Sequence, residues 1–327
     1  MTDAAARATE PAATPFSAAA YGGAGWSPRV APLREEIGQV WSACGVDNEW
    51  SPLREVLLHR PGGELEEVAD PDQVQMIAPV DVTGAQGQHD GMAEAFRDAG
   101  VTVRYVEPDG TAPPNLMFVA DLMVMTPEGA ILGRPASTVR AGEECFVARR
   151  LADLGIPILR SVRGRGTFEG ADAAWLNPET VLLATGLRTN AEGAAQVTSL
   201  LREMGVDVIQ VGLPYGAMHL MGQLRFADRD LAVAWPGRVP HAAVEALRAR
   251  GFSVLFLPDE REATHGMALN FVSLGPSRIL MPSGNPVTRR FYEQAGIDCV
   301  TVEVDELIKA AGGIGCLTGV LHREPVG

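Results

Sequence analysis

A cysteine, a histidine and several carboxylates fall at matching distances behind a recurring glycine, and together they are the parts of a nucleophilic site. Five times a helical run closes on glycine and passes at once into a β-rich run: FRDAG-VTVRYVEP at Gly100, LADLG-IPILRSVR at Gly155, LREMG-VDVIQVGL at Gly205, LRARG-FSVLFLPD at Gly251 and YEQAG-IDCVTVEV at Gly296. Asp121 lies 21 residues beyond its glycine and Cys316 lies 20 beyond its own, while Glu169, His219 and His265 each lie 14 beyond theirs. Equivalent offsets in a repeat predict equivalent places in the fold. A cysteine, a histidine and two or three carboxylates converging there would supply a nucleophile, an acid/base and a cation-binding wall. Each residue alone has an ordinary structural reading, and the conjunction is what carries weight. Gly312-Gly313-Ile314-Gly315 ahead of Cys316 reads as bare, flexible backbone that a packing cysteine would not need. Asp121 sits inside the apolar phrase MFVADLMVM, so if buried it needs a cation or hydrogen-bond donors. His59, His89, His265 and His322 are read as structural.

The elements that must position these residues follow from the same repeat. The glycines are 55, 50, 46 and 45 residues apart, so one supersecondary unit is reused along the chain. Between successive units lie pairs of apolar runs flanking a turn: Asp121–Met125 with Ala130–Arg134, Asp172–Leu176 with Val181–Thr185, Gln223–Phe226 with Leu231–Trp235, and Asn270–Leu274 with Arg278–Met281. Such pairs predict β-hairpins, each leading into an amphipathic helix such as 143–154, 195–204 or 286–295. The stretch 52–61 is a strand lacking a preceding partner, and 316–322 is a strand lacking a following one. If the two pair, the ring closes. The expected fold is α/β, a five-bladed α/β propeller of pseudo-fivefold ββαβ repeats, with short segments of every blade meeting on the axis.

Composition bounds the partners. The 327 residues carry 27 Lys+Arg against 41 Asp+Glu, a formal charge of −14, with no basic run. Nucleic acid and anionic membrane are disfavoured as partners, and no apolar stretch approaches the ~20 residues that span a bilayer. The Ala/Pro/Thr-biased segment 1–27 reads as a flexible tail without the marks of a secretory signal, followed by one catalytic domain over 28–327. Cys44, Cys145, Cys299 and Cys316 lack metal-ligand spacing and read as free thiols in a cytoplasmic setting.

Six phrases in order, PNLMFVADLMVM, RPASTVRAGEE, TFEGADAAWL, GLRTNAEGA, MHLMGQLRF and AGGIGCLTGVLHRE, resemble the guanidino-group-modifying superfamily over residues ~48–324. That superfamily comprises arginine deiminases, dimethylarginine dimethylaminohydrolases and amidinotransferases, and its five-bladed pentein fold is the ring expected above. The resemblance implies that Cys316 attacks the guanidinium carbon and that His219 protonates the departing amine and then activates water. It implies that Asp121 and Glu169 grip the guanidinium nitrogens, with Asp172 supporting them. Arg140 and Arg188 would hold the substrate's α-carboxylate, although GLRTN is shorter than the usual loop before that second arginine. The partner is then a small guanidino molecule, no metal or organic cofactor is required, and a homodimer is an admissible assembly. A guanidinium suits the carboxylates because it is planar, always charged and presents a fork of five donors.

Deiminases and amidinotransferases typically place an aspartate two residues beyond the histidine; here that residue is Met221. A missing carboxylate leaves a guanidinium N–H unpaired, at about 1–3 kcal/mol, which an alkylated nitrogen avoids. The motif is therefore nearest to dimethylarginine dimethylaminohydrolase, a hydrolase making citrulline through an amidino-thioether. The phrase EWSPLREVLLHRPGGEL resembles instead the opening of bacterial amidinotransferases, the alternative activity. A non-catalytic propeller binding module is a third reading, and arginine dihydrolase a fourth, set aside because the asparagine it expects is Asp121.

Overall fold

The computed structural model describes residues 15–326. The expected tail falls partly outside that range, at 1–14; the remainder, 15–27, forms two short 3-10 turns and lies largely exposed.

Five helix ends set the architecture. The first blade runs β1 (Leu53–Leu58), α1 (Val82–Asp98), β2 (Thr102–Tyr105). The second runs β3 (Met123–Thr126), β4 (Gly129–Leu132), α2 (Glu143–Asp153), β5 (Ile158–Ser161). The third runs β6 (Ala173–Asn177), β7 (Thr180–Thr185), α3 (Ala191–Glu203), β8 (Asp207–Gly212). The fourth runs β9 (Leu224–Asp228), β10 (Leu231–Ala234), α4 (His241–Arg248), β11 (Ser253–Phe256). The fifth runs β12 (Val272–Gly275), β13 (Arg278–Pro282), α5 (Pro286–Gln294), β14 (Asp298–Val302), and β15 (Gly319–Arg323) ends the chain.

All five repeat glycines have φ between 71° and 86°, where a Cβ is penalised. Each helix ends in the same way: the residue after the glycine donates its N–H to a carbonyl five residues back, at 2.9–3.1 Å. The bonded pairs are Phe96 and Val101, Leu151 and Ile156, Leu201 and Val206, Leu247 and Phe252, and Tyr292 and Ile297. Their side chains are all buried, so hydrogen bonding and apolar contact both stop the helix and turn the chain into the next strand.

Each sheet has three strands, the middle one antiparallel to its hairpin partner and parallel to the strand behind the helix. The first sheet has order β15-β1-β2, with β1 antiparallel to β15 and Val56 opposite Val320. The two orphan strands therefore pair, and the fifth blade's exit closes on the first. Apolar helix faces pack on the sheets: Met92 and Phe96 of α1 lie in one cluster with Val56, Leu58 and Leu280, and Ala243 and Leu247 of α4 lie in another with Leu224, Phe226 and Ala232. Among the described residues, no helix is long and apolar enough to cross a membrane.

Two local expectations are corrected. Asp121 is not in a strand but in the one-turn helix Val119–Leu122, and Cys316 is in the one-turn helix Ile314–Leu317. Short turn bonds hold both, Asp121 N–H to Phe118 O at 3.1 Å and Leu317 N–H to Gly313 O at 3.1 Å, and the ladders begin only at Met123 and Gly319. The glycines before Cys316 are buried rather than loosely exposed. A Cβ on Gly315 would lie 2.9 Å from Asn270 Oδ1 and 3.2 Å from Arg225 Nη2, so close approach is what excludes a side chain there.

Candidate active site

Each blade sends one polar residue to the axis from the turn just ahead of its hairpin. Asp121 precedes β3, Glu169 precedes β6, His219 precedes β9, Asn270 precedes β12 and Cys316 precedes β15. The turn holding Asp121 touches those at Gly170–Asp172 and Ile314–Leu317, and the former touches the turn Leu220–Gly222. The ring thus gathers residues separated by up to 195 positions in sequence, Asp121 to Cys316.

Glu169 and His219 form the tightest pair, Oε2 to Nε2 at 2.6 Å, with Glu169 fully buried. The other Glu169 oxygen accepts from Ala136 N–H at 3.0 Å and Arg188 Nη1 at 3.4 Å. Burial opposes ionisation of Glu169, but the His219 hydrogen bond and the charges of His219, Arg140 and Arg188 win, taking its pKa down to about 2. Burial likewise opposes charge on His219, and Asp121, the Glu169 bond and Asp172 overcome it, raising its pKa to about 9. At neutral pH the pair is imidazolium and carboxylate.

Asp121 is 3 % exposed. Its Oδ2 accepts from Arg140 Nη1 at 2.6 Å, while its Oδ1 lies 3.7 Å from His219 Nδ1 and has no hydrogen-bond partner. A buried carboxylate oxygen without a donor is costly, so this atom marks where a donor is missing. Ligand atoms of Asp121, Glu169 and His219 lie within 4.8 Å of one another, a compact seat for a cation.

Asp172 stands behind the wall. Its Oδ2 accepts from Thr189 Oγ1 at 2.6 Å and its Oδ1 from Leu220 N–H at 3.0 Å, so it holds the backbone next to His219. Burial raises its pKa to about 6 against those bonds. Arg140 is engaged by carboxylates on every side: Asp121, Glu143 through Nε at 3.0 Å and Nη2 at 2.8 Å, and Glu169 at 3.6 Å. Glu143, which the sequence reading did not single out, fixes that guanidinium. Arg188 makes one contact with the wall, to Glu169.

Asn270 was also missed. Its Nδ2 donates to Cys316 Sγ at 3.0 Å and its Oδ1 accepts from Cys316 N–H at 3.1 Å, so one side chain clamps the cysteine at both ends. His265, which shares the 14-residue offset, is exposed and outside the site. The reason is an inserted one-turn helix, Glu260–Thr264, capped by Asp259 accepting from Glu262 N–H at 2.8 Å. Asn270 lies 19 residues beyond Gly251, close to the spacings of Asp121 and Cys316, and that was the available signal.

Cys316 is half-buried. Burial and then the Asp121 charge raise its thiol pKa; Asn270, a Gly313 backbone bond and Arg225 oppose that rise. Arg225 sits with its guanidinium 5.7 Å from the Phe271 ring, donating to the Phe271 carbonyl. Two cavities meet at Cys316 and His219. The smaller, of about 20 Å³, is lined by Asp121, Arg140 and Arg188 among others, and the larger, of about 190 Å³, by Met221, Trp235 and Met267 among others. Of the four non-glycine residues with positive φ among the described ones, Gln75, Met267 and Ala311 line these cavities. Such conformations cost of order 1–3 kcal/mol and concentrate at functional sites.

The chain is similar to known proteins in the same terms. The arginine deiminase family model matches residues 237–323. N(G),N(G)-dimethylarginine dimethylaminohydrolase of Streptomyces coelicolor is 28% identical over 269 residues, covering 82% of this chain and 96% of that one. The enzyme of the same name from Pseudomonas aeruginosa is 25% identical over 238 residues, covering 73% and 89%. Over most of its length the chain is similar to members of the guanidino-group-modifying superfamily. Among solved members of the superfamily, the P. aeruginosa enzyme as a Cys-to-Ser mutant with citrulline superposes with a TM-score of 0.69 at 23% identity, covering 82% of this chain and 98% of that one. An amidinotransferase of Microseira wollei superposes equally well, TM-score 0.69 at 15% identity, covering 86% and 98%. At those identities the superpositions establish the pentein fold that the superfamily shares, and the reaction must be argued from side chains.

Proposed function

We propose that the chain is a cysteine-dependent hydrolase of small guanidino compounds, acting on N-methylated arginine or arginine to give citrulline and an amine or ammonia. The observation that carries this reading is the unpartnered Asp121 Oδ1, buried beside His219 in a cavity that also contains Cys316. A guanidinium N–H completes that oxygen, and the bound cation then offsets the Asp121 charge that disfavours the Cys316 thiolate. The thiolate adds to the guanidinium carbon. Collapse breaks the bond to the departing nitrogen, which takes the proton held by His219, leaving an amidino-thioether on Cys316. Neutral His219 next accepts a proton from water as it attacks, and loss of the thiolate yields the ureido product. Glu169 keeps the imidazole oriented, Asp172 holds its backbone, Arg188 keeps donors for an anionic tail, and Arg140 ties the carboxylate wall together. No step calls for a cofactor. The four free cysteines suit a cytoplasmic setting.

Met221 favours an alkylated departing nitrogen, since it lines the larger cavity where a further carboxylate would otherwise stand. Installing that carboxylate is the test: Met221→Asp should raise kcat/KM for arginine relative to Nω,Nω-dimethylarginine by about tenfold or more, for one charge-assisted bond. An unchanged ratio would remove Met221 from the specificity argument. The second reading, transfer of the amidino group to an amine, draws on the amidinotransferase-like phrase at residues 49–65. It requires an added amine acceptor to be consumed.

Two further outcomes are expected. Glu169→Gln replaces a charge-assisted bond with a neutral one and should lower kcat/KM by roughly 10–100-fold; unchanged kinetics would exclude Glu169 from the reaction. The pH profile of kcat/KM should climb through neutral pH up to about 9, because the raised Cys316 thiol is still gaining thiolate there, and level off where His219 begins to lose its proton. A profile falling already through pH 6–7, near the ordinary histidine pKa of about 6.5, would contradict the acid role.

A further inference from the structure

Arg225 is a half-buried cation braced against the backbone that carries the nucleophile. Its neighbours on β9, Leu224 and Phe226, belong to the core cluster that packs α4. The alternation of a strand therefore turns Arg225 to the opposite face, where it lines a small cavity with Glu49, Ala171 and Ala173. Its guanidinium touches both segments that enclose the thiol. Nη2 donates to the carbonyl of Phe271, the residue after Asn270, and a Cβ on Gly315 would lie 3.2 Å from Nη2 and 3.4 Å from Cζ. Gly315 N–H is itself bonded to Asn270 O at 3.2 Å, and the Asn270 side chain brackets Cys316. Among the described residues Arg225 makes no ion pair; Glu49 and Cys316 are the anionic groups that its charge reaches. The other charged groups around Cys316 lie along the two cavities: Asp121, whose charge disfavours a thiolate, His219, Arg140, Arg188 and Arg238. A partly desolvated guanidinium without a carboxylate is costly unless another anion stands near it, and a thiolate is the anion this site needs.

We propose that Arg225 is a positioning residue that stabilises the Cys316 thiolate in the free protein, offsetting the charge of Asp121. Arg225 lines neither cavity at Cys316, so it acts through the nucleophile and not on the substrate. The inference deepens the hydrolase reading and rests on it for the effect on turnover, whereas the charge pairing is a property of the protein without substrate.

Alkylation by iodoacetamide across pH, with peptide mass spectrometry to separate Cys316 from the exposed Cys145, reads the thiolate with no substrate present. Arg225→Gln should move the midpoint of the Cys316 profile up by about one pH unit, the scale of one charge acting across a partly solvated contact. Alkylation at neutral pH then slows about tenfold, while the rate at full ionisation stays as in wild type. Arg225→Lys keeps the charge and should return the midpoint close to wild type. Arg225→Met fills the space without charge and repeats the test should the glutamine variant fold poorly. In turnover of dimethylarginine near pH 7, kcat/KM should fall about tenfold in Arg225→Gln and recover in Arg225→Lys. A midpoint that neither neutral substitution moves, or that lysine moves as far as glutamine does, overturns the proposal, because a purely structural arginine would alter the thermal midpoint and not the ionisation. An Arg225-dependent midpoint without hydrolysis of any guanidine would sustain the pairing and defeat the hydrolase reading. Citrulline production with an unmoved midpoint would do the reverse.

Discussion

Cys316→Ser is expected to lower kcat by on the order of 10⁴–10⁶-fold, the scale seen when the nucleophile of a covalent mechanism is removed. A hydroxyl at that position would have to attack a resonance-stabilised carbon without appreciable ionisation at neutral pH, whereas a thiolate is both accessible and strongly nucleophilic. The substitution is mild for the fold. Serine keeps an acceptor for Asn270 Nδ2 and the backbone N–H bond to Asn270 Oδ1, so the thermal midpoint should stay within a few degrees of wild type. Intact-protein mass spectrometry after mixing with substrate should show the amidino adduct on the wild-type protein and none on the variant. Appreciable turnover by Cys316→Ser would end the mechanism. The other thiols serve as controls: burial pushes Cys44 and Cys299 up to about 11, and Cys145 is exposed on α2, so alanine at any of the three should leave kcat/KM near wild type.

His219→Gln should lower kcat by roughly 10²–10⁴-fold, the usual scale of a positioned proton-transfer group. Glutamine retains a donor toward Glu169, so the buried carboxylate is not left bare and the loss can be read as chemistry rather than unfolding. The two halves of the reaction should suffer differently. A substrate whose departing amine needs no proton at the transition state would still acylate Cys316, and the adduct would then persist because no base activates water. Accumulation of the thioether in this variant therefore reads out both roles of the histidine. A loss of only a few-fold, with no adduct, would mean that His219 merely packs against Glu169. The pair also makes a pH signature in stability. His219 has its pKa raised to about 9, so its contribution is fully present below its unfolded value of about 6.5 and is lost as pH rises through 9. Glu169, held at about 2, contributes above its unfolded value of about 4.3 and loses that contribution as pH falls through 2. Between pH 4.3 and 6.5 both act, and His219→Gln should cost more stability there than at pH 10.

The ring was legible because its punctuation is local. A glycine that must adopt positive φ at a helix end announces itself in sequence, and five of them at similar spacing announce a repeat. Closure was legible from the unpaired strands at either end. Cys316, Glu169, His219 and Asp121 follow from their offsets, and the structure brings them to one axis. The offset rule failed at the fifth blade, where the turn Glu260–Thr264 adds residues before the hairpin and carries His265 to the surface. Asn270 takes the equivalent place, and its type gave no warning because an amide in a loop is ordinary. Glu143 was illegible for a different reason: its role exists only through Arg140, which the ring folds against Asp121 and Glu169 at the same time. The glycines before Cys316 were read as loosening the backbone, when what they provide is room for Asn270 and Arg225.

The central claim is that water, not an added amine, takes the amidino group from Cys316. The direct measurement is mass-spectrometric product analysis of the purified protein with arginine, monomethylarginine or dimethylarginine, each with and without glycine or ornithine. Citrulline and the free amine should form in equal amounts without any acceptor, fastest from a methylated substrate. No citrulline in any mixture, or a new guanidino compound that appears only when an acceptor is present, would contradict the account.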